Sequence, residues 1–212
     1  MRKDIKLKVC GMRDAENTIQ LAALQPDYIG FIFYPESKRY VGEIDQNILK
    51  KIPSDIKKTG VFVNESYRVI VDKISDFKLD AIQLHGKESA EFCDKFRTVD
   101  VEVIKAVGIS NPANFDGLNE YSDAVDYFLF DTKTEQHGGS GKTFDWSLLK
   151  CYTLNKPYFL SGGLSSEHLN DLSAIQDNRL YALDLNSRFE LEPGLKDIQK
   201  LRSFFNEIRV PV

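Results

Sequence analysis

TGVFVNESYRVIVDKISDFKLDAIQL, residues 59–84, reads as one complete structural unit. It opens on a short apolar run, TGVFV (59–63), and closes on another, AIQL (81–84). Short continuous runs rich in Val, Ile and Phe suit strands buried on both faces, as in a parallel sheet. Between them, residues 66–77 place Val69, Ile70, Lys73, Ile74 and Phe77 on one stripe with polar residues opposite. That is the periodicity of an amphipathic helix. The stretch is therefore strand, helix, strand, and two parallel neighbours joined by a helix require a right-handed crossover.

The same alternation extends in both directions. Further strand-like runs are KLKVC (6–10), YIGFIF (28–33), VEVIKAV (101–107), YFLF (127–130), YFL (158–160) and YALDL (181–185). Helix-like segments lie at 15–24, 88–96, 166–175 and 195–208, with shorter ones expected at 46–51, 112–121 and 146–150. Asp14 is placed to cap the first helix, whose apolar face is read as Ile19, Ala22 and Ala23. The last carries Ile198, Leu201, Phe204 and Phe205 on one side. Eight such units fit a closed (β/α)8 barrel better than an open sheet of five or six strands. No Pro/Gly/Ser-rich linker divides the chain, so residues 1–212 are read as one barrel domain. No repeated sequence motif is evident.

Composition narrows the function. The 212 residues include 14 Phe and 9 Tyr, too many apolar anchors for a disordered chain. The net charge of −4 argues against nucleic acid as a partner, yet leaves room for a small phosphorylated ligand held at a local site. Cys10, Cys93 and Cys151 form no CxxC pair, so neither a disulfide framework nor a zinc ribbon is expected, and a reducing compartment is the simpler reading. Together with His85 and His137 they lack metal-ligand spacing, so no metal is expected. The N-terminus MRKDIKLKVC has no apolar signal-peptide core, and no run of about 18 apolar residues is present. A cytoplasmic protein with no membrane partner is expected.

In a (β/α)8 barrel, chemistry gathers at the C-terminal strand ends and the loops that follow. Cys10 ends the first run, where a thiol serves as acid or base if its pKa moves toward neutrality, or packs as a small hydrophobe. Asp131 follows Phe128-Leu129-Phe130, and a carboxylate against that apolar wall is expected to show a raised pKa suited to a general acid. The bland alternative is an Asp bonded to its own loop backbone. Arg39 sits in the second loop, able to grip a carboxylate or to lie solvated. His85 ends the fourth run, as a substrate contact or a structural histidine. Asp184, in or near the end of the eighth run, is a buried structural acid or a ligand for a sugar hydroxyl.

HGGSGKT (137–143) is no P-loop, because Gln136 stands where the motif needs glycine. It reads as a lid whose Gly141 and Lys142 face an anionic ligand, or as a plain surface loop. Gly162 and Gly163 follow the seventh run, and Asn186-Ser187-Arg188 the eighth. Loops at these two positions form the usual phosphate cradle of barrels with phosphorylated substrates, and glycine lets backbone N–H groups approach the anion.

Set in order, several motifs resemble the phosphoribosylanthranilate isomerase family over essentially the whole chain. They are KVCGM (8–12), GFIFYPESKRY (30–40), GVFVN (60–64), QLHG (83–86), IKAVG (104–108), FDTKTEQHGGSGKTFDW (130–146), LSGGL (160–164) and EPGLKD (192–197). The resemblance implies a (β/α)8 isomerase of tryptophan biosynthesis. It would convert N-(5-phosphoribosyl)anthranilate to 1-(2-carboxyphenylamino)-1-deoxy-D-ribulose 5-phosphate by an Amadori rearrangement, without cofactor, as monomer or homodimer. It implies Cys10 as general base, Asp131 as general acid and Arg39 as the anthranilate-carboxylate ligand. His85, Gly141, Lys142 and Asp184 would be further substrate contacts, and Gly162, Gly163, Ser187 and Arg188 the phosphate site. One departure stands out: family members carry Ser-Ser-Gly where this chain has Asn186-Ser187-Arg188. A histidine-pathway barrel isomerase is the rival enzyme, but paired aspartates would be expected where Cys10 and Asp131 stand. Indole-glycerol-phosphate synthase would want catalytic lysines in the barrel, where Lys8 and Lys105 are the obvious in-strand ones. A non-catalytic phosphate-binding barrel is the other alternative.

Overall fold

The structure, a computed structural model, describes residues 5–42, 44, 46–133 and 143–209. Eight parallel strands close into a barrel in sequence order: β1 (Lys6–Cys10), β2 (Tyr28–Ile32), β3 (Lys57–Phe62), β4 (Ala81–Leu84), β5 (Glu102–Ile109), β6 (Tyr127–Thr132), β7 (Tyr158–Leu160) and β8 (Leu180–Leu185). β1 closes the ring against β8, with Lys8 opposite Asp184, and pairs on its other side with β2, Cys10 opposite Gly30. The expected (β/α)8 architecture is thus present. Among the described residues no helix is long and apolar enough to cross a membrane.

The outer layer is economical. Helices α1 (Ala15–Ala22), α2 (Gln46–Leu49), α3 (Tyr67–Phe77), α4 (Ala90–Asp94), α5 (Leu169–Ala174) and α6 (Ile198–Arg209) are supplemented by 3-10 turns at Pro112–Phe115, Leu118–Tyr121 and Trp146–Cys151. The three weak helical segments are indeed one-turn α or 3-10 pieces. Asp14, Ser66 and Ser89 cap α1, α3 and α4 by accepting from Asn17 N, Val69 N and Phe92 N.

Two expectations need correction. The buried face of α1 is Asn17, Thr18, Leu21 and Ala22, while Ile19 is exposed. Asn17 is buried because its side chain bonds both backbone groups of Lys196, at 2.7 and 2.9 Å. Nor does one helix run from residue 195. Leu195–Lys196 (β10) pairs antiparallel with Glu190–Glu192 (β9), turning at Pro193-Gly194, and α6 starts only at Ile198. Asp197 caps it by accepting from Lys200 N.

A small recurrence also joins alternate units. Asp27, Asp80 and Asp126 each precede an even-numbered strand, and each carboxylate accepts the N–H of Leu7, Lys58 or Val103 at the start of the preceding strand. They fasten the N-terminal rim and leave the C-terminal rim free for loops. Aromatic and aliphatic side chains pack the outer core between strands and helices, while the lower barrel interior is filled by Tyr28, Ala81, Ile104, Leu129, Phe159 and Ala182.

Candidate active site

A cleft of about 800 Å³, part of it open to solvent, occupies the C-terminal mouth of the barrel. Its lining includes Cys10, Arg39, His85, Asp131, Gly162, Gly163, Asp184, Ser187 and Arg188. Every described residue singled out at the strand ends therefore converges on one cavity. Gly141 and Lys142, expected in the lid, lie outside the described residues.

Strand alternation explains the convergence. On β4, β6 and β8 the inward face steps from Ala81, Leu129 and Ala182 in the floor to Gln83, Asp131 and Asp184 two residues later. The same alternation corrects the setting of Asp131. Phe128 and Phe130 belong to the outer core, packed against Tyr152, so the expected apolar wall is on the other face of β6. Asp131 instead meets polar groups: Oδ1 accepts from Thr132 N at 2.8 Å, and Oδ2 lies 3.6 Å from His85 Nε2.

A buried polar chain crosses the barrel beneath the cleft. Lys8, fully enclosed, donates from Nζ to Asp184 Oδ1 at 2.9 Å and to Gln83 Oε1 at 2.8 Å. Gln83 Nε2 lies 2.7 Å from His85 Nδ1, which directs the other ring nitrogen toward Asp131. Burial pushes the Asp184 carboxyl up, and the Lys8 ammonium pulls it back. Cys10 is buried against the same group: burial pushes its thiol up, Lys8 pulls it down, Asp184 pushes it up, and Lys196 pulls it down again. The backbone on either side of His85 is held by a second buried pair. Lys105 donates to Glu88 at 3.0 Å and to the carbonyls of Leu84 and Gly86, while Glu88 accepts from Gly86 N and Asn64 N.

The opposite wall is a charged clamp. Arg39 donates from Nε and Nη2 to Glu190 at 2.9 and 2.6 Å, a bidentate pair. Glu190 Oε1 also accepts from the buried Lys196 Nζ at 2.6 Å, and that amine donates to Asn186 Oδ1 at 2.7 Å. Burial works against the charge of Glu190, but Arg39 and Lys196 together hold its pKa below the usual carboxylate range. Gly11, at φ +83°, makes room for this clamp: a Cβ there would stand 2.8 Å from Arg39 Cδ and 3.0 Å from Asn186 Oδ1. Gly162, at φ +91°, lets the β7 loop approach β6, where a Cβ would run into Thr132 Oγ1 and lie 3.1 Å from Asp131 Oδ1.

Glu190 and Lys196 went unread as site residues. They lie on the β9–β10 hairpin after β8, away from the C-terminal ends of the eight barrel strands where chemistry is expected. The signal available was EPGLKD (192–197), whose lysine interrupts an otherwise amphipathic reading. Among the described residues no three His, Cys, Asp or Glu side chains converge as a metal site would require.

A family model described as N-(5'-phosphoribosyl)anthranilate (PRA) isomerase matches residues 7–207. The chain belongs to this isomerase family. Among curated proteins, the N-(5'-phosphoribosyl)anthranilate isomerase of Parabacteroides distasonis is 45% identical over 97% of this chain and 94% of its own. A crystal structure of the phosphoribosyl anthranilate isomerase of Thermotoga maritima matches with a TM-score of 0.81 and 38% identity, covering 97% of this chain and 98% of that one. A further isomerase structure, in complex with reduced 1-(o-carboxyphenylamino)-1-deoxyribulose 5-phosphate, matches at TM-score 0.77 and 34% identity, with coverage of 97% and 98%.

Proposed function

We propose that this barrel isomerises N-(5-phosphoribosyl)anthranilate to 1-(2-carboxyphenylamino)-1-deoxy-D-ribulose 5-phosphate, with Cys10 as general base and Asp131 as general acid. The observation that carries the assignment is that a thiol and a carboxylate from strands on different sides of the ring line one cleft, together with the Arg39 guanidinium and the loops after β7 and β8. Asp131 protonates the ribose ring oxygen while the anilino nitrogen pushes the C1′–O bond open. Cys10 takes the C2′ proton from the resulting iminium, and the enamine formed tautomerises to the ketone. Acid and base must act on the ring oxygen and C2′, the two atoms that flank C1′, which suits groups facing each other across a narrow mouth.

Both ends of the substrate are anionic. The β7 loop at Gly162-Gly163 and the β8 loop at Ser187-Arg188 form the phosphate side, and Arg39 faces the anthranilate carboxylate. Glu190 already engages Nε and Nη2, so Glu190 fixes the orientation in which Arg39 meets the ligand. Holding both ends converts binding into alignment of the reacting carbon. His85 and Asp184 supply hydrogen bonds to the sugar, and Gly141 and Lys142 are proposed contacts from the loop over the mouth. The enzyme is proposed to act in the cytoplasm on a small phosphorylated substrate, as monomer or homodimer, and to bind neither nucleic acid nor membrane. One similar structure is described as coming from a dimeric isomerase.

The test is the decay of phosphoribosylanthranilate fluorescence in metal-free buffer. Turnover by the native protein is expected, with a fall of roughly 10²–10⁴-fold in Cys10→Ala. A native protein inactive on this substrate overturns the assignment, and a Cys10→Ala enzyme as fast as native overturns the role of the thiol. For Arg188→Ala, a rise in KM of about tenfold is expected, corresponding to one lost charge-assisted contact of about 1.4 kcal/mol. An unchanged KM removes Arg188 from the phosphate site.

A further inference from the structure

The charges around Cys10 do not balance evenly. On one side Lys8 is paired with Asp184, one cation with one anion. On the other, two cations, Arg39 and Lys196, share the single carboxylate of Glu190. That cluster is packed against the turn leaving Cys10, because Arg39 and Asn186 fill the space beside Gly11. Lys196 is 1% exposed, so water screens its charge weakly. Its backbone is held on both sides by Asn17, which prevents the amine from withdrawing.

We propose that Lys196 is the positioning residue for the Cys10 base: as the second cation on Glu190, it places a positive charge beside the thiol and so increases the thiolate fraction at neutral pH. The proposal rests on the reading of Cys10 as general base. The thiol proton leaves to water through the open cleft, and the thiolate then takes the C2′ proton. No other group needs to change its protonation in that step. The charged or titratable groups facing Cys10 are Lys8 from its own strand, Asp184 from the neighbouring β8 and Lys196 from β10. Those facing Lys196 are Glu190, Cys10 and Arg39. Burial leaves the thiol above its ordinary value, and the interaction with Lys196 acts against that rise.

The experiment measures the rate of Cys10 carboxamidomethylation by iodoacetamide at pH 7, below the value of about 8 at which Lys196 releases its proton. Peptide mass spectrometry separates Cys10 from Cys93 and Cys151. In Lys196→Met the cluster becomes neutral, and the Cys10 rate should fall about tenfold or more, with kcat at pH 7 falling in parallel. Lys196→Gln, which keeps a polar group for Asn186, should lower the rate the same way if the methionine variant folds poorly. Lys196→Arg should restore most of the native rate. Neutral variants with a native rate overturn the proposal, and so does an Arg variant as slow as Met. Native-like turnover by Cys10→Ala would instead fell the underlying role of the thiol, whatever the alkylation rates show.

Discussion

The two layers of the barrel interior are built from the same strands and differ in almost everything else. The floor is Tyr28, Ala81, Ile104, Leu129, Phe159 and Ala182, aromatic rings wedged among small and aliphatic side chains. One step toward the C-terminal mouth, the layer is Lys8, Gln83, Asp131 and Asp184, with Cys10 beside them. Tyr28 and Phe159 meet edge to face at 5.3 Å, and Tyr127 stacks on Tyr181 at 4.6 Å. Such packing is stabilising without being reactive. The upper layer buries charges, which a fold tolerates only when they are paired. The difference teaches that one strand can serve both ends: the floor holds the ring closed, and the mouth spends part of that stability on chemistry.

The largest effects should separate the layers cleanly. Asp131→Asn is expected to lower kcat roughly 10²–10⁴-fold, with a melting temperature within a few degrees of native. Phe159→Ala should do the reverse. Removing a fully buried phenyl ring from the floor should cost about 3–5 kcal/mol in urea denaturation, while the remaining folded enzyme keeps kcat within about twofold, because no floor residue reaches the substrate. A Phe159→Ala enzyme that stays stable but loses turnover would break the division.

That division also explains how much was legible before any coordinates. The eight apolar runs match the eight strands within a few residues, since a strand buried on both faces has an unmistakable composition. Cys10 and Asp131 were legible because they stand where such runs end. The clamp was not. Its pairing of Arg39 with Glu190 spans 151 positions and that of Asn17 with Lys196 spans 179. Local periodicity carries no information about such partners. Ile19 was misplaced for a related reason: α1 buries an asparagine to hold Lys196, so its polar residue faces inward and its isoleucine outward.

At alkaline pH the layers should respond with opposite signs. Burial pushes Lys196 down to about 8, against the support of Glu190. Above that pH the folded protein has released this proton while the unfolded chain holds it to the ordinary lysine value. The unfolded state then binds more protons, so stability rises with pH across this window. The difference corresponds to about 3 kcal/mol between pH 8 and 10.5. Lys196→Met should lack this rise, read as the native-minus-variant stability from urea titrations at successive pH values. A constant difference across the window would mean that the amine is not held in the charge-disfavouring site described.

The floor supplies the opposite slope and the smallest effect. Tyr28 donates its hydroxyl to Glu102 Oε2 at 2.9 Å and lies 3.2 Å from the Tyr181 hydroxyl. Burial first, and then Tyr181 and Glu102, push its pKa far above the tyrosine value. As pH passes about 10, the unfolded chain loses this proton and the folded one keeps it. The folded state now binds more protons, so stability falls. Tyr28→Phe should remove that fall. At neutral pH its cost should be only about 1 kcal/mol, because Glu102 still accepts from Lys57 Nζ at 2.5 Å and is not left unpaired. The ring stays in place, so the barrel floor stays filled and turnover should be unchanged. A Tyr28→Phe enzyme with altered kcat would show that the floor is coupled to the mouth. A native alkaline limb in that variant would show that another buried phenol, Tyr158 or Tyr127, carries it instead; burial pushes both upward as well.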